Sequence, residues 1–293
     1  MARYRGGAHP PGGAPVKRLL AFLLLVLPDV SFAGAAKRIV SIGGAQTEII
    51  YALGAESRIV GVDSTSYWPE TAKLLPQVGY QRALSAEGIL SLEPDLVILG
   101  VDAGPPTVIE QLKQANIPLL VLQEDHSIAS VKQKIAAIAR ALGEVTKGKA
   151  LMKRLDEQQA ALDQELKAHP APARVLFIMQ HGAGSAMVAG THTAADAILK
   201  LAGASNAVTA YEGYKPLTPE AAPALAPDII LVTTQTLDEI GGKDSVLKLP
   251  GLALTPAGKS GRVIAMDTLL LLGFGPRTIE AARELHAHRM EKK

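Results

Sequence analysis

Short runs of β-branched and aliphatic residues, each followed by a helical stretch, recur along this chain and narrow its possible folds more than any other feature. "RIVSI" (38–42), "RIVGVD" (58–63), "DLVILG" (95–100) and "PLLVLQ" (118–123) read as buried strands, with "TEIIYALG", "AEGILSLE" and "TVIEQLKQAN" as helices between them. Near-continuous apolar strands separated by helices imply a parallel sheet covered on both faces. The alternation then stops. Residues 130–167 read as helix almost throughout, interrupted near Gly143, and the second part carries charges on most faces before ending at "HPAPA". A solvated helix of this kind connects two lobes. Alternation resumes with "RVLFIMQ" (174–180), "AADAILKLAG", "DIILVTT" (228–234) and "RVIAMD" (262–267), and a last helix starts near Pro276. The expected fold is α/β: two Rossmann-like lobes with parallel sheets, residues 37–143 and 172–293, joined by one long interdomain helix over residues 144–169.

Composition limits the partners. The 293 residues suffice for two medium lobes, each with a buried core. Aromatics make up only 4% of the chain, so the core is built from Ala, Leu, Ile and Val, and each tyrosine needs a reason. A formal charge of +2 is too small to attract nucleic acid. Near the N-terminus, Lys17 and Arg18 precede the apolar run 19–27, Pro28 and the small residues Ser31 and Ala33. That order describes a cleavable secretory signal over residues 1–33, too short in its apolar part to span a bilayer. Its removal takes four basic residues and one acidic one from a formal +2, leaving the exported chain at −1. There is no cysteine, hence no disulfide, no thiolate metal site, no thiol nucleophile and no lipid-carrying Cys. These features point to the periplasm.

Two stretches carry more. "SAEGILSLEPDLVIL" (85–99) aligns without gaps on "TPEAAPALAPDIILV" (218–232), matching Glu87 with Glu220 and Pro94-Asp95 with Pro227-Asp228. Each glutamate alone fits helix capping or dipole complementarity, but its recurrence suggests pseudo-symmetric lobes. "VGYQRALSAEG" (78–88) puts Tyr80 two residues before Arg82 in a Gly-flanked turn, which suits either edge packing or a ligand site. No G-x-S-x-G elbow, P-loop or H-E-x-x-H helix occurs. His286 and His288 fall in the last helix, where solvation is expected.

The signal, the two lobes, the single helical spine and "EPDLVIL" together resemble the substrate-binding proteins of ABC importers in the helical-backbone class, which includes binders of vitamin B12, iron-siderophores and haem. "VGYQRALSAEGILSLEPDLV" is similar to the haem-binding branch. The resemblance implies that Tyr80 is an axial ligand to ferric haem iron, with Arg82 supporting the phenolate or pairing with a propionate. It also implies His181 as a second iron ligand from the opposite lobe. Met187, Tyr211, His192 and Tyr214 would line the cleft, and Lys215 or Arg277 would meet propionates. Glu87 and Glu220 would dock on an inner-membrane ABC permease dimer with its ATPase, downstream of an outer-membrane haem receptor. The implied protein is a monomer that carries haem as transported ligand and is not an enzyme. The rivals are a cobalamin or iron-siderophore cargo on the same fold, and an exported enzyme using the interlobe cleft.

Overall fold

The computed structural model describes residues 35–170, 172–180 and 185–291. The expected leader, residues 1–33, and His181 lie outside them. The described residues form one compact unit built on two sheets.

The first half contains β1 (Ile39–Ser41), α1 (Gly44–Ala52), β2 (Ile59–Val62), a hairpin of β3 (Gly79–Tyr80) and β4 (Ala83–Leu84), α2 (Ala86–Leu90), β5 (Leu96–Gly100), α3 (Pro106–Gln114), β6 (Leu119–Leu122) and α4 (Ile128–Ala141). The sheet order is β2-β1-β5-β6, and every pairing is parallel. Val40, Ile42, Val97 and Leu99 are buried on one face with Ile89, Val108 and Leu112 of α2 and α3. The β-branched runs work as central strands because both faces are covered, so no polar side is needed.

After α5 (Val145–Ala168) come β7 (Arg174–Met179), β8 (Met187–Ala189), α6 (Ala194–Leu201), β9 (Ser205–Asn206), β10 (Tyr214–Pro216), α7 (Ala221–Leu225), β11 (Ile229–Thr233), α8 (Thr234–Ile240), α9 (Lys243–Leu247), α10 (Pro256–Ser260), β12 (Val263–Met266), α11 (Thr268–Leu272) and α12 (Thr278–Met290). The second sheet runs β10-β8-β7-β11-β12, with β9 also on β7. It corrects one expectation. β7, β9, β11 and β12 are mutually parallel, but β8 runs antiparallel to β7, and β10 antiparallel to β8. The lobe has its own core around Leu176, Ile178, Ile230 and Val232.

α5 is about 36 Å long at 1.5 Å per residue. It buries only Gly148, Leu151, Leu155 and Leu162, which leaves the charged faces in solvent. Gly143, at φ 72°, makes the turn from α4, and Arg58 closes it by donating to the Leu142 carbonyl and pairing with Glu144. Toward its other end, Glu165 pairs with Arg283 of α12. α12 also overturns the solvated reading of His286. That side chain is buried, its Nδ1 lies 2.8 Å from Arg289, and its ring is 5.9 Å from that of His169.

The internal repeat has a physical basis. Asp95 accepts the backbone N–H groups of Lys37 and Arg38, and Asp228 accepts that of Arg174, so each carboxylate anchors the start of the neighbouring strand. Arg38 donates to the Leu92 and Glu93 carbonyls, and Arg174 to the Leu225 carbonyl. Glu93 and Ala226, the residues before the two Pro-Asp pairs, both take positive φ, at 47° and 42°. Non-glycine residues rarely do this, so the same backbone solution has been used twice.

The lobes meet through loops that follow strands. Asp63, fully buried after β2, accepts from the Gly43 and Thr65 backbone N–H groups and from the Ser66 hydroxyl. The loop it fixes presents Tyr67 and Trp68 to the second lobe. Tyr67 Oη donates to Asp267 at 3.0 Å and accepts from the Leu269 N–H and from Gln235. Gly44 lies where a Cβ would sit 2.5 Å from Leu269 Cδ1, so the absence of a side chain permits the approach. Lys134, also buried, donates to the Phe274 carbonyl and pairs with Glu124. Arg277 pairs with Glu48 and lies over Trp68, 4.6 Å from the ring centroid.

Burial raises the Glu48 pKa, and Arg277 opposes that rise without cancelling it. A carboxylate with a raised folded pKa contributes most below its unfolded value of 4.5 and progressively less as pH rises. Arg277→Met would push the pKa further up and leave a buried charge unpaired. We predict a loss of about 3 kcal/mol near neutral pH, shrinking toward about pH 4, where Glu48 is protonated in both states. Urea unfolding at the two pH values measures it; equal losses at both would show that the ion pair is not the source.

Candidate functional site

Open α/β sheets place ligands at the carboxyl ends of their strands, and in this chain those ends face each other across the lobes. Tyr67, beyond β2, meets Asp267 beyond β12 and Gln235 beyond β11. His126, beyond β6, packs its ring 5.2 Å from that of Phe274.

Tyr80 and Arg82 sit on this edge in the β3–β4 hairpin. The hairpin can form because Gly79 adopts φ 103° and carries no Cβ, which would lie 2.7 Å from the Ala83 carbonyl. Two backbone hydrogen bonds fasten it to the loop beyond β5: Gly104 N–H to the Gln81 carbonyl at 2.9 Å, and Leu84 N–H to the Gly104 carbonyl at 3.0 Å. That loop carries Asp102. Arg82 donates from one terminal nitrogen to Tyr80 Oη at 3.2 Å, and its other terminal nitrogen pairs with Asp102. Partial burial works to lower the Arg82 pKa, but Asp102 and Tyr80 outweigh it and move it up, so the group is a fixed cation. The pair is half-exposed and contributes at most about 1 kcal/mol to folding. Its effect is geometric. Tyr80 is 42% exposed and Val101, beside Asp102, is 55% exposed, which leaves apolar surface next to a phenol and a cation.

The remaining tyrosines differ in kind. Burial and the Asp267 carboxylate push the Tyr67 phenol far above its ordinary range, fixing it as a neutral donor. Burial also raises Tyr211 and Tyr214, opposed in Tyr214 by Thr193. Among the described residues, Tyr80 is the tyrosine whose oxygen meets a guanidinium.

The second lobe distributes its candidates along the β8–β10 arm. Met187 pairs with Met179, the last residue of β7, and so lies at the edge that faces the first lobe. Tyr214 is opposite Ala189, two residues further from the edge, or roughly 7 Å. Tyr211 lies further still, its ring packed against Gly190 and under Lys215 Nζ at 4.5 Å from its centroid. His192 is exposed beside Glu212, at 3.3 Å. Arg277 is already held by Glu48 and Trp68. His181 lies outside the described residues.

Glu87 and Glu220 are both exposed, and among the described residues neither forms an ion pair. Neither acts as a side-chain cap, since Ser85 caps α2 and Glu220 makes no capping bond to α7. Capping therefore does not account for them. Two recesses of about 460 and 370 Å³ open along α5, and Tyr80 lines neither. Sequence reasoning missed Asp102, although its place two residues beyond a strand end was a usable signal. It also missed Glu48, whose partner is 229 residues away.

Residues 39–269 match the family described as periplasmic binding protein. The chain belongs to that family. Among solved structures, it is 46% identical to the periplasmic heme-binding protein BhuT in complex with two hemes, with TM-score 0.83, covering 87% of this chain and 98% of that one. It is 44% identical to the periplasmic heme-binding protein RhuT from Roseiflexus sp. RS-1 in apo form, with TM-score 0.84 and the same two coverages. An ABC transporter substrate-binding lipoprotein of Bacillus subtilis (strain 168) is 30% identical over 260 residues, 88% of this chain and 81% of the relative. The vitamin B12-binding protein of Yersinia pestis (strain Pestoides F) is 35% identical over 129 residues, 43% of this chain and 46% of its own length.

Proposed function

We propose that this periplasmic binding protein captures ferric haem at the edge between its lobes and hands it to an inner-membrane ABC importer, without chemical change to the cargo. The observation that carries the reading is the exposed Tyr80 hydroxyl with the Arg82 guanidinium on its oxygen. Phenolate is a hard, anionic oxygen donor, and tyrosine ligation of haem iron is an established mode. A free phenol releases its proton near pH 10, and ferric iron supplies the pull that lowers this. A nearby cation that can donate to the phenolate favours the same state. One hard donor beside apolar surface suits an iron whose other positions are filled by a macrocycle. The likeness to two periplasmic heme-binding proteins across nearly their whole lengths supports haem. The match to a vitamin B12-binding protein covers less than half of that protein and supports cobalamin less.

In this reading Met187 faces the cargo from the second lobe, His181 is a second iron ligand, and Tyr211 backs the arm. The leader directs export and is removed, leaving a monomer in the periplasm, supplied by an outer-membrane haem receptor. Glu87 and Glu220, at the starts of matching helices and without an ion pair among the described residues, dock on the permease dimer with its ATPase. Exposed ion pairs are worth about 0–1 kcal/mol each, so two at fixed separation set orientation and encounter rate more than affinity.

Two experiments test this. In a hemin titration of residues 34–293 followed by absorbance, we expect a saturable Soret shift with a ferric-tyrosinate charge-transfer band, absent in Tyr80→Phe. A band that survives in Tyr80→Phe would move the iron to another residue, and no saturable shift would return the cargo to cobalamin or a siderophore. In vesicles reconstituted with the importer, Glu87→Ala combined with Glu220→Ala should bind haem normally and deliver none. Uptake at the unmodified rate would remove the docking role.

A further inference from the structure

We infer that Asp102 is a positioning residue for the cargo ligand: it holds the Arg82 guanidinium so that one terminal nitrogen stays on the Tyr80 oxygen. This rests on the reading of Tyr80 as the iron ligand, and it decides between the two roles open to Arg82. A guanidinium is planar, so engaging both terminal nitrogens fixes its plane and leaves little freedom to swing toward a propionate. One of those nitrogens is on Tyr80 and the other on Asp102. Arg82 therefore supports the phenolate, and the propionates find other partners.

The surroundings of Asp102 fit a residue held for its aim. It stands two residues beyond β5, in the loop that the hairpin grips through the Gly104–Gln81 and Leu84–Gly104 hydrogen bonds. Ion pair and backbone bonds thus join the same two segments. Gly100 leaves space for the carboxylate, since a Cβ there would lie 3.0 Å from Asp102 Oδ1. Among the described residues, the charged groups in contact with Tyr80 and its partner are Arg82 and Asp102, with the neutral Gln46 amide beyond Gly100. Half-exposed ion pairs add little to folding, so stability alone gives no reason for this one.

Two possible effects of Asp102 have opposite signs. As a bare negative charge near the phenolate, it would disfavour the ionised oxygen, and removing it would strengthen the iron bond. As the anchor of Arg82, it secures a charged donor, and removing it would weaken the bond. Asp102→Asn separates them. We expect the tyrosinate band of the haem-loaded chain to disappear on acidification at a pH higher by about one unit, and haem transfer to apomyoglobin to quicken about tenfold. Asp102→Glu should retain most of the original behaviour. In an Arg82→Ala background, Asp102→Asn should no longer raise the acid transition or quicken transfer, because there is nothing left to position.

The inference is overturned if Asp102→Asn leaves both readings unchanged, moves the acid transition downward, or acts equally in the Arg82→Ala background. Circular dichroism melts of each variant identify a general loss of fold, which would also speed transfer in that background. A parent chain that takes up hemin without any tyrosinate band sinks the haem-ligand reading and this inference with it. A normal band in the parent that ignores Asp102 sinks the inference alone.

Discussion

The Tyr67 hydroxyl is where two independently cored lobes become one molecule. It donates to Asp267 and accepts from the Leu269 backbone and from Gln235, so three groups from two segments of the second lobe converge on one oxygen of the first. The loop that carries Tyr67 is held in turn by buried Asp63, which accepts from the Gly43 and Thr65 backbone N–H groups and the Ser66 hydroxyl. Hydrogen bonds that converge in this way fix geometry more than they add stability. With Glu48–Arg277 and Lys134–Phe274 beside it, the contact sets how the two strand-end edges oppose each other. A chain whose lobes are joined by one stiff helix and fastened at its loops has few soft dihedrals with which to close.

The edge where we propose the cargo binds is made from the opposite chemistry. Tyr67 is a half-buried phenol next to a carboxylate and therefore stays a neutral donor. Tyr80 is an exposed phenol whose oxygen accepts from a guanidinium. Two tyrosines thirteen residues apart are thus given different surroundings, one in the contact between lobes and the other on the exposed edge where we propose the cargo binds. The exposure of Tyr80 and Val101 costs some hydrophobic burial in the free protein, and a flat apolar cargo would recover it.

Much of the architecture was legible in the sequence because buried parallel strands announce themselves as unbroken aliphatic runs. β1, β5, β7 and β11 fall inside the expected segments, and the helical break falls at Gly143. The repeated Pro-Asp pair was visible too, although its cause, a carboxylate capping the adjacent strand after a residue with positive φ, needed coordinates. β8 and β10 were not legible. Three residues each, "MVA" and "YKP" carry too short a pattern to reveal direction, so the mixed sheet was read as parallel. His286 was read as solvated because a tail helix rich in charge looks amphipathic to no neighbour; α5 and α6 supply that neighbour. Arg277 was offered to a propionate because nothing local shows that Glu48 holds it. The proposed site residues Tyr80 and Arg82 stand out only through their motif, since composition alone allows edge packing equally well.

The central claim is that the iron of the cargo is bound by the Tyr80 oxygen, with Arg82 still donating to it. A crystal structure of residues 34–293 loaded with hemin measures this directly. The expected result is Tyr80 Oη at bonding distance from iron, with Arg82 bridging that oxygen and Asp102 as it does in the free chain. Iron held elsewhere, with Tyr80 merely packed against the porphyrin or Arg82 turned to a propionate, would contradict it.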